Sequence, residues 1–294
     1  MVELPDHIAR ALNQQGARIP SLPLAAAQAI QLASDPEVSL KRLATVIESD
    51  PALVSAVLRV SNSAFYRLSD TGGIANVTRA ITRLGVGEIR RVCLSAAVVS
   101  AFPIKAKEPS LDRALFWKHS ACCGVASRRL VEGLHIATDG EEFPAGVLHD
   151  VGKLILDIVF HEDYARAIAL TNETGCSMRS AELEIFGVDH AQVSAWLCER
   201  WELPKALVHA VQFHHEPEAS TGDPLLAAVV YVADIFARVT GNGFGGEQTA
   251  VAVTDTDAWR IVTERVPTPD VELLFFQISE EMHQSADMFA AGQA

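Results

Sequence analysis

From Leu24 onward apolar residues recur three and four positions apart, while stretches alternating apolar with polar positions are scarce, so the chain reads as almost entirely helical. The punctuation agrees. Asp50-Pro51 has the form of an N-cap followed by proline at the first helical position, opening a helix with Val54, Val57 and Leu58 on one face and an end near Asn62. Thr78 is placed to cap a segment from Arg79 to Leu84, which Gly85 and Gly87 break before helical spacing resumes over Glu88 to Val99. The polar stretch Lys105 to Ser110 carries a proline and marks a boundary, and a second helical unit starts near Leu111.

In that unit a helix is expected over Phe116 to Leu130. Asp189 and Gln192 fit a capping box ahead of a helix running to Trp201, and Pro204 starts another that ends at Phe213-His214-His215-Glu216-Pro217. Leu225 to Thr240 reads as a buried helix with a single acid, Asp234, amid Val229, Val230, Val232, Ile235 and Phe236. Gly241 to Gly246 reads as a flexible loop, followed by helical patterns over Asp257 to Val266 and Asp270 to Phe289. The division this suggests is an N-terminal helical lobe (1–108), a helical core (109–240) and a C-terminal helical extension (241–294).

Composition changes this picture little and charge narrows it. With 49% apolar and 21% charged residues over 294 positions, the chain is globular, with enough apolar side chains for a substantial core. The net charge of −13 disfavours long-range attraction to nucleic acid or anionic membrane. Arg79, Arg83, Arg90 and Arg91 around the Gly85-Val86-Gly87 turn admit a helix-turn-helix reading, but that charge opposes it and an acidic neighbour is the simpler target. Five cysteines without a CxxC pair suit buried thiols in a reducing compartment. The first residues lack the features of a signal peptide, and the longest apolar run, Leu225 to Ala233, is too short to span a bilayer. A cytoplasmic protein without membrane insertion is expected.

The candidate chemistry lies in FPAGVLHDVGKLIL, where His149 and Asp150 sit side by side in an apolar run that must compensate their charge. On a helix Lys153 would reach the same neighbourhood, either to contact a phosphate on a metal or to form an internal ion pair. His119, His190, His214, His215 and Asp234 are the remaining candidate ligands. Imidazole and carboxylate donors together suit Fe, Mn, Zn or Mg, one or two ions, and the lack of thiolates in this set argues against a structural zinc cluster. Two such ions can clamp a phosphate and lower the pKa of a shared water, with Lys153 neutralising a substrate oxygen. Each residue also has a plainer reading. His119 alone is a buried histidine with one hydrogen bond. His190 can simply start its helix, where the dipole requires it to be neutral, and His214 and His215 can cap a helix end. Asp234 needs a metal, a basic partner or some other functional reason. His7, His135, His161, His209 and His283 are set aside as surface or packing residues.

The order His119, His149-Asp150, Asp234 resembles the H…HD…D signature of HD-superfamily phosphohydrolases, and His190 with His214-His215 looks like the additional histidines of the HD-GYP cyclic-di-GMP phosphodiesterases. A narrower resemblance is carried by IPSLPLAAAQAIQLASDPEVSLKRLATVIESDPALVSAVLRVSNSAFY, IANVTRAITRLGVGEIRRVCL, FWKHS, GVLHDVGKLIL, FGVDHAQVSAWLCERWELP and FHHEP, which are similar to the HDOD family, the HD-related output domain of bacterial signalling, over roughly Arg18 to Arg238. The resemblance implies an all-α, multi-helix HDOD fold, with an N-terminal lobe packed on an HD-like core. It also implies a signal-transduction module that works through protein partners, without established catalysis. After His214-His215-Glu216 the Arg and Gly-Tyr-Pro elements of active HD-GYP enzymes are absent, and Leu115 stands where three-metal members carry an acid. The chain is therefore expected to be a regulator with a metal or ligand pocket. The alternative is a metal-dependent phosphodiesterase acting on a nucleotide, such as a cyclic dinucleotide. A nucleotide ligand is compatible with either reading, and DNA with neither.

Overall fold

A computed structural model describes the chain except Met1 and residues 15–18, 36, 64–72, 103–109, 139, 245–251, 265, 267–269 and 292–294, and the side chains of 284–291. The described residues form helices and turns with no strand. In chain order the helices are α1 (Asp6–Gln14), α2 (Leu24–Leu32), α3 (Leu40–Glu48), α4 (Pro51–Ser61), α5 (Val77–Leu84) and α6 (Val86–Ala101). There follow α7 (Arg113–Gly133), α8 (Glu142–Leu148), α9 (Val151–Val159), α10 (His161–Thr174) and α11 (Met178–Phe186). The last are α12 (His190–Arg200), α13 (Lys205–Gln212), α14 (Leu225–Ala237), α15 (Asp257–Thr263) and α16 (Val271–Ala291).

The chain divides into two compact units, Pro20–Pro103 and Met1–Ile19 with Ile104–Ala294. The first 19 residues thus group with the larger unit, where the Val2 N–H donates to Glu199 on α12 at 2.7 Å. The segment after residue 240 belongs to the same unit, since α15 and α16 contribute Trp259, Val262, Leu274 and Ile278 to its core. Most of the expected boundary segment, Lys105 to Pro109, lies outside the described residues.

In the smaller unit, Leu43, Ile47, Leu53, Val57, Ile81 and Ile89 from α3 to α6 form one apolar core. α4 starts as its sequence requires, with the Asp50 carboxylate accepting from the Ala52 and Leu53 N–H groups ahead of Pro51, and Asn62 ends it. Two expectations need correction. Asn76, not Thr78, caps α5, because its side chain accepts from the Arg79 N–H at 3.0 Å. Gly85 alone breaks the chain between α5 and α6: its φ of 81° is open to glycine at little cost, and the helix resumes at Val86 with Gly87 inside it. Arg91 is engaged by Glu88 one turn away at 2.9 Å, an acidic neighbour as expected.

In the larger unit the 21-residue α7 is the central element, capped by Asp112 and packed against α8, α14 and α16. Along its middle it is buried on every side, and the small residues Ser120, Ala121, Cys122, Cys123 and Gly124 there let neighbouring helices approach closely. The α14 helix is buried along nearly its whole length and passes into a π-type turn, Arg238–Asn242, with Gly241 at φ 77°. The apolar stretch Leu225–Asn242 is long enough to cross a membrane, but 61% of it is buried inside the protein, as in the core helix of a folded domain. Gly241 and Asn242, expected in a flexible loop, belong to this turn, and Gly245 and Gly246 lie outside the described residues. The capping box at α12 is present, with Asp189 accepting from the Gln192 N–H and the Gln192 side chain accepting from the Asp189 N–H.

Candidate metal centre

The residues proposed as ligands come from five places in the larger unit. His119 projects from α7, His149 and Asp150 from the turn between α8 and α9, His190 from the first position of α12, His214 and His215 from the turn after α13, and Asp234 from α14. His149 and Asp150 therefore do not share a continuous helix with Lys153. The chain turns between α8 and α9, and Lys153 reaches back from the first turn of α9 to place Nζ 2.8 Å from Asp150 Oδ2. This turn can press against α12 because position 152 is glycine: a Cβ there would lie 2.1 Å from the His190 carbonyl oxygen. The Gly152 N–H donates to Ser194 Oγ at 2.6 Å.

Asp150 is the hub. Its Oδ1 lies 3.1 Å from His190 Nε2 and 4.0 Å from His214 Nε2. Its Oδ2 lies 3.4 Å from His149 Nε2 and 3.7 Å from His119 Nε2, besides the contact with Lys153. Asp234 Oδ1 approaches His119 Nε2 at 3.4 Å while its other oxygen pairs with Arg238 at 3.1 Å. One carboxylate thus stands between a histidine pair on one side, His119 and His149, and a triad on the other, His190, His214 and His215.

The outward nitrogens of four of these rings are already occupied. His119 Nδ1 meets the Asn242 carbonyl at 2.8 Å, His149 Nδ1 the Gly146 carbonyl at 2.7 Å and His214 Nδ1 the Val211 carbonyl at 2.7 Å. His190 Nδ1 meets the Glu182 carboxylate at 2.5 Å. A ring that donates through Nδ1 presents a bare Nε2 lone pair inward, which is how histidines are oriented as metal ligands. His214 Nε2 is buried without a hydrogen-bond partner, a costly arrangement that an ion would relieve. The donors thus fit a divalent metal. His214 meets the capping expectation as well, since Val211 lies in the last turn of α13, but it does so as a neutral ring.

Electrostatics follow from this packing. Burial and the neighbouring His149 and His190 push His214 down to about 3, and burial with His214 and His190 holds His215 well below its ordinary value. Burial would raise Asp150, yet His149, Lys153 and His190 keep its carboxyl well below the usual range. The helix dipole favours a neutral His190, while its carboxylate neighbours favour the charged ring. Burial opposes its charge, but Glu182 and Asp150 outweigh burial and lift it to about 10. A His190 imidazolium can donate through Nε2 to Asp150 and to His215 Nε2, 2.8 Å away. That proton occupies the direction a metal would take and must leave when one binds.

Two neighbours of the centre were not among the candidate ligands read from the sequence. Glu182 on α11 is fully buried and accepts from the His190 backbone N–H at 2.8 Å as well as from its ring, with the Tyr164 hydroxyl donating to its other oxygen at 3.4 Å. Cys123, one turn beyond His119, places Sγ 3.6 Å from His119 Nε2. Of the histidines set aside, His161 meets Asp157 and Ser110 at 3.2 and 3.1 Å, away from these groups.

The fold is shared with proteins of known structure. A Geobacter sulfurreducens HDOD domain protein of unknown function has a solved structure similar to this chain, with a TM-score of 0.80 at 22% identity over 92% of this chain and 91% of that one. A Shewanella amazonensis SB2B protein provisionally named a phosphohydrolase superposes with a TM-score of 0.73 at 24% identity, covering 97% and 98% of the two chains. An uncharacterized protein of Treponema pallidum (strain Nichols) is 23% identical over 232 residues, 78% of this chain, which spans 43% of that relative's length. The HDOD domain model matches residues 19–217. With that match over most of its length and an all-helical architecture shared with these structures, the chain belongs to the HDOD family.

Proposed function

We propose that the protein is a regulatory module of bacterial signal transduction, non-catalytic, that acts by binding partner proteins, with the histidine–aspartate centre holding one or two divalent ions (Fe, Mn, Zn or Mg). His119, His149, Asp150 and Asp234 would hold one ion, and His190, His214 and His215 with the other oxygen of Asp150 a second. In a hydrolase such ions would activate water and polarise a phosphoryl group. Here the chain's own residues hold the centre closed. Lys153, the side chain available to meet a substrate phosphate, is 5% exposed and turned onto Asp150. This inward pairing is the observation that carries the regulatory reading, because a cation committed to a metal ligand is not presented to a phosphate. His119, His149, Asp150, His190 and His214 are each 2% exposed or less, whereas catalytic ions need an open position.

Protein purified without chelator should contain one or two equivalents of Fe, Mn or Zn, and the metal should be lost when His149 and Asp150 are both replaced by Ala. Metal-free protein by elemental analysis would sink the metal reading. Incubation of metal-loaded protein with cyclic dinucleotides or a generic phosphodiester should give flat progress curves. Turnover would establish the second reading, a metal-dependent phosphodiesterase, which the division of Asp150 between two ligand groups favours.

A further inference from the structure

We infer that the cavity of about 200 Å³ between the start of α7 and one stripe of α10 is a binding site for a small aromatic cation, a single ring bearing an amino or amidino group. The cavity lies in the larger unit, and none of the proposed metal ligands lines it. On α10 Tyr164, Ile168 and Asn172 recur at four-residue spacing and share one face with Thr171, so together they form one side of the cavity. Leu111 and Asp112 close it from the start of α7, Met178 from the start of α11, and Phe244 from the chain beyond the π-type turn.

The lining is divided by polarity. Leu111, Tyr164, Thr171 and Met178 are buried and form the floor, while Asp112 and Asn172 are exposed at the mouth. The Thr171 hydroxyl is spent on the Ala167 carbonyl at 3.1 Å, the Tyr164 hydroxyl on Glu182, and that of Ser110 meets His161 Nδ1, so the floor presents mainly apolar surface. Phe244 stands edge-on to Phe116 with ring centroids 5.5 Å apart, which gives the cavity an aromatic wall. An apolar cavity of about 150 Å³ accepts benzene, so a single ring fits here.

Charge selects the rest of the ligand. Among the described residues that line the cavity, Asp112 is the single charged side chain and none is a cation. The cap bonds of Asp112 to the Ala114 and Leu115 N–H groups both use Oδ1, so Oδ2 can accept from a ligand N–H, and the Asn172 amide oxygen can accept beside it. Lys153, near the Phe244 ring, is turned onto Asp150. Carboxylates also set the field behind the floor: after burial itself, Glu182, Asp150 and Asp157 hold the Tyr164 hydroxyl well above its ordinary pKa. A phosphate or carboxylate ligand would meet repulsion here with no cation to offset it, whereas an aromatic cation seats its ring on the floor and its charge at the mouth. Such a site gives the regulatory module a small-molecule input that does not require the ion.

Benzamidine, benzamide and benzoate are nearly identical in size and differ in charge. Full-length protein should bind benzamidine with a millimolar or tighter Kd, benzamide about fivefold more weakly and benzoate not measurably. With isotope-labelled methionine methyls, the Met178 signal, identified through M178L, should shift on benzamidine titration. D112N keeps a good N-cap and should bring benzamidine to the affinity of benzamide, while I168W fills the cavity and should abolish binding of both. Benzoate bound as tightly as benzamidine, an unmoved Met178 signal, or an undiminished preference for benzamidine in D112N would each overturn the inference, and the first of these needs no variant. Protein that binds benzamidine in this way yet retains no cobalt(II), offered as a probe ion, would sink the metal reading and leave this inference standing.

Discussion

Replacing Gly152 by Ala tests whether the centre depends on the close approach of α9 to α12. The added Cβ would lie 2.1 Å from the His190 carbonyl oxygen, 2.8 Å from the Ser194 nitrogen and 2.9 Å from Ser194 Oγ. The first contact is more than an ångström inside an ordinary contact distance of about 3.5 Å, and two of the three atoms are backbone, so the helices must part by roughly 1 Å. Overpacking of this kind costs about 1–3 kcal/mol. The parting also strains the bond from the Gly152 N–H to Ser194 Oγ, worth about 1 kcal/mol, and the helical preference of alanine returns up to about 1 kcal/mol. The net expectation is a loss of about 1–3 kcal/mol, or roughly 2–12 °C in Tm for a unit of this size. Trp117, Trp196, Trp201 and Trp259, all the tryptophans of the chain, lie in the larger unit, so their fluorescence in urea follows that unit selectively. Bound cobalt should fall in parallel, because the displacement separates Asp150 Oδ1 from His190 Nε2. Gly87→Ala, in the smaller unit and therefore followed by far-ultraviolet circular dichroism in place of tryptophan fluorescence, is the control: a Cβ there meets nothing within 4 Å, so the change should be neutral or slightly stabilising. A G152A protein within about 0.5 kcal/mol of wild type, with its metal content intact, would refute the close-approach argument.

Other consequences can be measured on the same protein. Glu182→Gln removes the charge that orients His190 yet keeps a hydrogen-bonding side chain, and should weaken cobalt binding about 10–100-fold by competition titration while the fold persists in far-ultraviolet circular dichroism. Metal held at 100 times its Kd should stabilise the larger unit by about 2.7 kcal/mol, read as a rise in Tm that chelator reverses. Lys153→Met should destabilise metal-free protein by about 3 kcal/mol by leaving the buried Asp150 without its closest cation, and by less once a metal faces the same oxygen. If Lys153 serves only a substrate, chemical denaturation of the two forms will show equal losses.

The sequence made much of this fold legible because helices advertise themselves locally. Asp50-Pro51, the Asp189/Gln192 box and the apolar face of α14 each stand where periodicity and capping put them. The misplacements have local causes too. Asn76 and Thr78 are both good caps two residues apart, and only the backbone conformation, extended at Asn76, decides between them. Gly87 tolerates a helix interior at a cost of about 1 kcal/mol, so its presence did not have to end one.

At the centre, the histidines and aspartates could be suspected because each is chemically out of place in an apolar helix. Glu182 could not. A glutamate in SAELEIFG reads as a solvated helix position, and its burial arises only when the α11–α12 connection folds it beneath the α12 N-terminus, where its carboxylate accepts from the His190 backbone and ring. Cys123 left a signal in the four-residue spacing from His119 in HSACC, but a buried cysteine is ordinarily a small apolar filler, and its sulfur rests against the His119 ring. Lys153 carried the sharpest ambiguity, between phosphate contact and internal ion pair, and the turn between α8 and α9 bears on it. Were His149, Asp150 and Lys153 on one uninterrupted helix, Lys153 could lie along the same face as both ligands and extend past them. The break before Val151 instead sets Asp150 at the mouth of α9, directly in the path of the lysine, so the local backbone commits Lys153 to an ion pair with Asp150.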